Sequence, residues 1–116
     1  MKRDMELVRK LLFLAEEEGK DDKLCEEYGQ EKVAGHVAIL RDAKLIDGVI
    51  EYDQVGRPFA SVILRLTWAG HEFLDNARND TVWNKVTSTI KNAATTASFE
   101  VLVEMLKTGV LAAIQK

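Results

Sequence analysis

The sequence predicts an α+β fold in which helices surround one two-stranded β-hairpin, all within a single domain of residues 1–116. Three observations carry that expectation. Apolar residues recur at helical spacing over residues 5–15 and 33–40, and again after Trp68. Between the second and third of these runs lie two stretches rich in strand formers, residues 49–52 and 61–66, parted by the breakers Gln54-Val55-Gly56-Arg57-Pro58. A chain of 116 residues that is 47% hydrophobic and 30% charged has material for one core and no more.

Taken in order, Asp4 stands where a helix N-cap is needed, ahead of two apolar rows on adjacent faces: Met5, Val8, Leu12 and Ala15, then Leu7, Leu11 and Leu14. Such a helix is buried on more than one side and ends near Gly19. Residues 20–29 are polar and aperiodic, with Leu24, Cys25 and Tyr28 as their only apolar anchors, so a loop or a brief irregular turn or strand is expected. From Gln30 the positions Val33, Val37, Leu40 and Ala43 return to helical spacing, and this second helix should stop before Leu45-Ile46-Asp47-Gly48. In the hairpin that follows, alternation puts Val62, Leu64 and Leu66 on one face. The Thr67 hydroxyl is placed to cap a helix running to about Arg78, whose Gly70 lets the first turn sit tightly against a neighbour. Asp80 is the expected cap of a further helix bearing Val82, Val86 and Ile90, and Ser98 that of a last one with a broad apolar face of Phe99, Leu102, Val103, Leu106, Val110 and Ala113. Residues 80–116 thus read as a helical extension, packed on the rest or used for dimerisation.

Net charge is −3, and the whole imbalance sits in residues 1–29, with six bases against nine acids. Nowhere is there the strongly basic stripe that duplex binders usually carry. No uncharged stretch approaches the 18 or so residues of a membrane span, so no membrane partner is expected. Asp4 and Glu6 fall where a leader peptide needs an apolar core, and the single Cys25 cannot form an internal disulfide, which together predict a cytoplasmic protein.

Chemistry-bearing patterns are sparse. The chain has no G-x-S-x-G and no glycine-rich phosphate loop, and its acids are scattered along helix faces rather than paired in apolar surroundings. The expectation is no enzyme, no catalytic residue and no cofactor. His71 and Asp75 stand at i and i+4, but two ligands do not make a zinc site and Cys25 has no partner cysteine, so no metal is expected. His36, next to the apolar position Val37, reads as a packing or hydrogen-bonding residue at the edge of its helix face. The run Glu16-Glu17-Glu18 reads as a solvated helix end, and Trp68 and Trp83 as core plugs.

The succession of helix, polar connection, helix, hairpin and capped helix is that of a winged-helix domain. Two segments sharpen the likeness. His36-Val37-Ala38-Ile39-Leu40-Arg41-Asp42-Ala43-Lys44-Leu45-Ile46 resembles a recognition helix and its exit, with Lys44 where glycine is common. Leu66-Thr67-Trp68-Ala69-Gly70-His71-Glu72-Phe73-Leu74 is similar to the passage from the second wing strand into the next helix. With the opening Met1-Lys2-Arg3-Asp4-Met5-Glu6-Leu7-Val8-Arg9-Lys10-Leu11-Leu12 and the stretch Asp80-Thr81-Val82-Trp83-Asn84-Lys85, nearly the whole chain resembles domain-of-unknown-function family 2513, small proteins of bacteria and their phages. The resemblance implies a winged-helix-like fold and a bacterial or mobile-element origin; it implies no activity. One departure is that residues 20–29 look too short and polar for the helix that normally precedes a recognition helix.

A winged helix presents Gln30, Lys32, Gly35 and Arg41 outward on the recognition helix, and Gln54, Arg57 and Lys44 near the wing. Were the partner double-stranded DNA, Gln30 and Lys32 would face base edges and Arg57 would reach phosphate or the minor groove, with Glu31 and Asp42 opposing. Were it a second copy of the chain, Phe99, Leu102, Leu106, Val110 and Leu111 offer a dimer interface. Two functions therefore stand open: a regulatory DNA-binding module, and a protein-interaction adaptor that keeps the fold without nucleic-acid binding.

Overall fold

The computed structural model describes residues 2–92, in the order α1 (Met5–Glu16), α2 (Asp22–Tyr28), α3 (Gln30–Asp42), β1 (Ile46–Tyr52), β2 (Pro58–Leu66), α4 (Trp68–Ala77) and α5 (Asp80–Asn92). This is an α+β arrangement of helices with one antiparallel hairpin. The chain falls into two compact units, residues 1–71 and 72–116. The expected last helix and its residues Phe99, Leu102, Leu106, Val110 and Leu111 lie outside the described residues.

In the first unit α1 begins as its sequence dictates: the Asp4 carboxylate accepts the Leu7 amide at 3.2 Å. Leu7, Val8, Leu11, Leu12 and Ala15 are buried, and α1 packs on both α3 and β2. Its end is a Schellman motif in which the left-handed residue is Glu18, with the Gly19 amide reaching the Leu14 carbonyl. α3 ends the same way: Lys44 has φ 63°, its amide reaches Arg41, and the Leu45 amide reaches Leu40, both leucines being buried.

Residues 22–28 form a helix where a loop or irregular segment was expected. No residue of α2 is buried, so apolar periodicity could not announce it. Charge fastens it instead. The Lys10 ammonium of α1 donates to the Tyr28 hydroxyl at 2.9 Å and to Glu27 at 3.4 Å, and the Lys32 ammonium of α3 lies 5.2 Å from the centre of the Tyr28 ring.

The hairpin is longer than its strand-former runs, because Ile46, Asp47 and Gly48 belong to β1. Gly48 lets the strand approach its neighbours closely: a Cβ there would stand 2.9 Å from the Val62 carbonyl oxygen and 3.6 Å from Val37 of α3. The register pairs Val49 with Val62 and Asp47 with Arg65, then shifts between Asp47 and Gly48, leaving Leu64 without an opposite residue. That bulge separates the three residues expected on one face. Leu66 is buried, whereas Val62 and Leu64 are exposed. At the wing tip Asp53 closes the loop, its carboxylate accepting the Val55 and Arg57 amides at 2.9 Å each while Gly56 takes φ 84°.

Thr67 caps α4 as expected, accepting the Gly70 amide at 3.1 Å, and its hydroxyl also donates to the Lys44 carbonyl at 2.6 Å. In the second unit α5 is capped by Asn79, whose side-chain oxygen accepts the Val82 amide at 3.0 Å, while the expected cap Asp80 is the first residue of the helix. Both are good N-caps, and the first apolar position, Val82, selects the one three residues before it. Phe73, Leu74, Ala77, Val82, Trp83 and Val86 are buried, with Phe73 and Trp83 meeting edge to face at 6.4 Å. Trp68, expected as a core plug, is instead 80% exposed.

Candidate recognition surface

The residues expected to read DNA do not form one face. Gln30 and Arg41 are exposed and eleven residues apart on α3, which brings them back to nearly the same angle around the helix axis. Lys32, only two residues beyond Gln30, points about 200° away. Its ammonium sits 3.0 Å from Asp4 and is spent on the α1 cap and on Tyr28. Gly35, expected outward, is buried. Lys44 and Arg57 are exposed, the first at the helix exit and the second at the wing tip, and Gln54 is exposed beside it.

Behind Lys32 lies a polar junction that ties α1 to α3. His36 is fully buried rather than at an edge. Its Nδ1 lies 2.8 Å from the Lys32 carbonyl oxygen and its Nε2 2.8 Å from the Asp4 amide nitrogen. The first contact needs a proton on Nδ1 and the second needs a lone pair on Nε2, so the ring is held as the Nδ1–H tautomer. Burial would raise the Asp4 carboxyl, but the Lys32 ammonium and the Leu7 amide outweigh it and hold that carboxyl below its ordinary value. This cluster is structural: every polar atom in it is matched by another.

The exposed charged residues of α2 and α3 are Asp22, Lys23, Glu26, Glu27, Glu31, Arg41 and Asp42, five acids to two bases, so the helical surface repels phosphate. The wing tip adds Asp53, whose carboxyl is held low by the Arg57 and Val55 amides. A shallow cleft of about 300 Å³ lined by Asp21, Asp22, Cys25, Gln30, Ala60 and Ser61 contains the lone thiol. Burial and the charge of Asp21 push the Cys25 thiol up, away from the thiolate a nucleophile requires. Asp75, half of the histidine–aspartate pair considered for a metal, is paired with Arg78 at 3.1 Å.

The outer face of the hairpin has a different character. Val49 and Val62, directly opposite each other, are 54% and 59% exposed, and the bulged Leu64 beside them is 59% exposed. The strip runs from the Asp47–Arg65 ion pair at 2.7 Å to Glu51 opposite Ala60, beyond which the register shifts again and Tyr52 and Phe59 are exposed. Sequence did hold a signal for it. Apolar residues fall on both faces of a two-stranded ribbon, so one set packs on α3 and the other is left for something else.

Among the described residues, fold and surface define a small α+β module with an exposed apolar strip on its hairpin. The chain belongs to the family described as hypothetical protein (DUF2513), which it matches over residues 2–97. It is 36% identical over 114 residues to an uncharacterized protein of Haemophilus influenzae, covering 93% of this chain and 94% of that one. No solved structure matches it. Among the described residues no helix is long and apolar enough to cross a membrane.

Proposed function

We propose that this chain is a non-catalytic binding module that uses a winged-helix-like arrangement to recognise a protein through the outer face of its hairpin. The observation that carries the reading is the strip of Val49, Val62 and Leu64, each more than half exposed on a ribbon whose other face packs on α3. Apolar strips with charged ends are the usual composition of a protein interface centre and rim. The alternative, a DNA-binding regulator, draws support from exposed Arg41, Lys44 and Arg57, and is opposed by the acid excess of α2 and α3 and by the engagement of Lys32 with Asp4.

The test compares three full-length proteins: wild type, Val62→Glu and Arg57→Glu. On the proposed reading, wild type and Arg57→Glu retain the same proteins from a lysate of cells that naturally encode the chain, and Val62→Glu loses them. Fluorescence anisotropy with a random duplex at low salt shows no binding at high micromolar protein. Duplex binding that Arg57→Glu abolishes, with capture indifferent to Val62→Glu, would reverse the assignment.

A further inference from the structure

Resting on the protein-binding reading of the hairpin, we infer that the occupant of its outer face is a second copy of this chain, laid face to face about a two-fold axis that runs along the strands. The reason is that the face is complementary to itself. A two-fold axis parallel to the ribbon places β1 of one copy over β2 of its partner, and the observed register then fixes what meets what. Val49 lies over the partner's Val62 and Val62 over the partner's Val49, so the centre is apolar on both sides. Asp47 lies over the partner's Arg65 and Arg65 over the partner's Asp47, so two ion pairs become a ring of four alternating charges. Glu51 lies over the partner's Ala60, a small residue that leaves the carboxylate room to reach water. An axis across the strands does worse, because it sets Asp47 over the partner's Glu51.

The arrangement also supplies what a two-stranded ribbon lacks. The helices pack on one face of this ribbon, and a partner ribbon would remove the apolar surface of the other from water. A second ribbon stacked roughly 10 Å away is the ordinary spacing of two packed sheets. The seven residues of β1 make a face roughly 23 Å long and two strands wide. That is at the small end of specific interfaces, so the dissociation constant is expected on the order of 10–100 µM.

Sedimentation equilibrium of the full chain from about 5 to about 500 µM reads the prediction directly. Wild type should rise from its 13.0 kDa monomer mass toward twice that value, and Val62→Glu should remain monomeric throughout. Asp47 and Arg65 are exposed, so their substitution leaves folding intact, checked by circular dichroism. Asp47→Arg gives a ribbon end with two bases and Arg65→Asp one with two acids: each alone should lose self-association at least tenfold, and an equimolar mixture should recover a heterodimer. Two results overturn the inference: a monomeric wild type at every concentration, or a mixture that associates no better than either chain alone. If wild type is monomeric while Val62→Glu still abolishes capture from lysate, the occupant is another protein and the protein-binding reading stands. If Val62→Glu alters neither assay, both readings fall.

Discussion

Gly70→Ala sets two effects of opposite sign against each other, and the structure decides between them. In an isolated helix the substitution is favourable by about 1 kcal/mol, because alanine loses less backbone entropy than glycine. Here, a Cβ at position 70 would fall well inside van der Waals contact of the Leu45 carbonyl oxygen, with the Leu45 carbonyl carbon at 3.1 Å and Leu66 Cδ2 at 3.0 Å. The obstructing group is backbone, which cannot swing aside as a flexible side chain would. Leu45 is also held from both directions, accepting the Thr67 amide at 2.9 Å through its carbonyl and donating its own amide to Leu40. The first turn of α4 must therefore withdraw from the α3–β1 junction, straining the Thr67 hydroxyl contact to Lys44 as it goes. Overpacking of this kind costs about 3 kcal/mol, which leaves a net loss of about 2 kcal/mol once helix propensity is subtracted. With a urea slope of about 2 kcal/mol per molar, the unfolding midpoint should fall by about 1 M. A midpoint that stays put or rises would show that α4 is not seated on Leu45 as described.

His36→Phe removes the acceptor for the Asp4 amide and the donor to the Lys32 carbonyl while adding volume at a fully buried site, and should cost about 1–3 kcal/mol in the same titration; a neutral result would mean that the ring only fills space. Lys44→Gly and Glu18→Gly each relieve a left-handed residue at a Schellman turn and should raise the unfolding free energy by up to about 1 kcal/mol apiece, after the added freedom of the unfolded chain is subtracted. The carboxyl of Asp4 is lower in the folded than in the unfolded protein, so its contribution is complete above its ordinary value of 3.8 and is lost as pH falls through the folded value. Asp4→Asn should therefore destabilise at pH 7 and show a shallower further loss on acidification below pH 3.8, and parallel stability curves for the two proteins would contradict the Asp4–Lys32 pairing.

The elements that sequence periodicity delimits well are those whose apolar residues share one neighbourhood. α1 and α3 announce themselves because Leu7, Leu11, Val33 and Val37 all meet one core, and Thr67 and Gly70 mark the start of α4 by chemistry that is local to it. α2 escapes because it buries nothing and depends on lysines from α1 and α3, which only the folded chain brings near Tyr28. The bulge at Leu64 escapes for a related reason. Strict alternation is a property of one strand, whereas an extra residue is defined only against the partner strand, and one residue of slip moves Leu66 from the face of Val62 to the opposite one. Lys44 stands where the resemblance puts a glycine, and its φ is 63°.

Binding residues are harder to read from sequence than elements are, because counting bases along a chain does not say which of them the fold engages. Lys10 is taken up by Glu27 and Tyr28, Lys32 by Asp4 and Tyr28, Arg65 by Asp47 and Arg78 by Asp75. The Lys10 and Lys32 contacts join α1, α2 and α3, the Asp47–Arg65 pair joins the two strands, and the Arg78–Asp75 pair is local to the end of α4. A duplex competing for Lys32 would have to draw it away from Asp4 and from the Tyr28 ring, contacts that join α3 to α1 and α2. An apolar strip has no such conflict. Covering Val49, Val62 and Leu64 removes surface that water already disfavours, which is the ground for proposing the hairpin rather than the helix as the binding face.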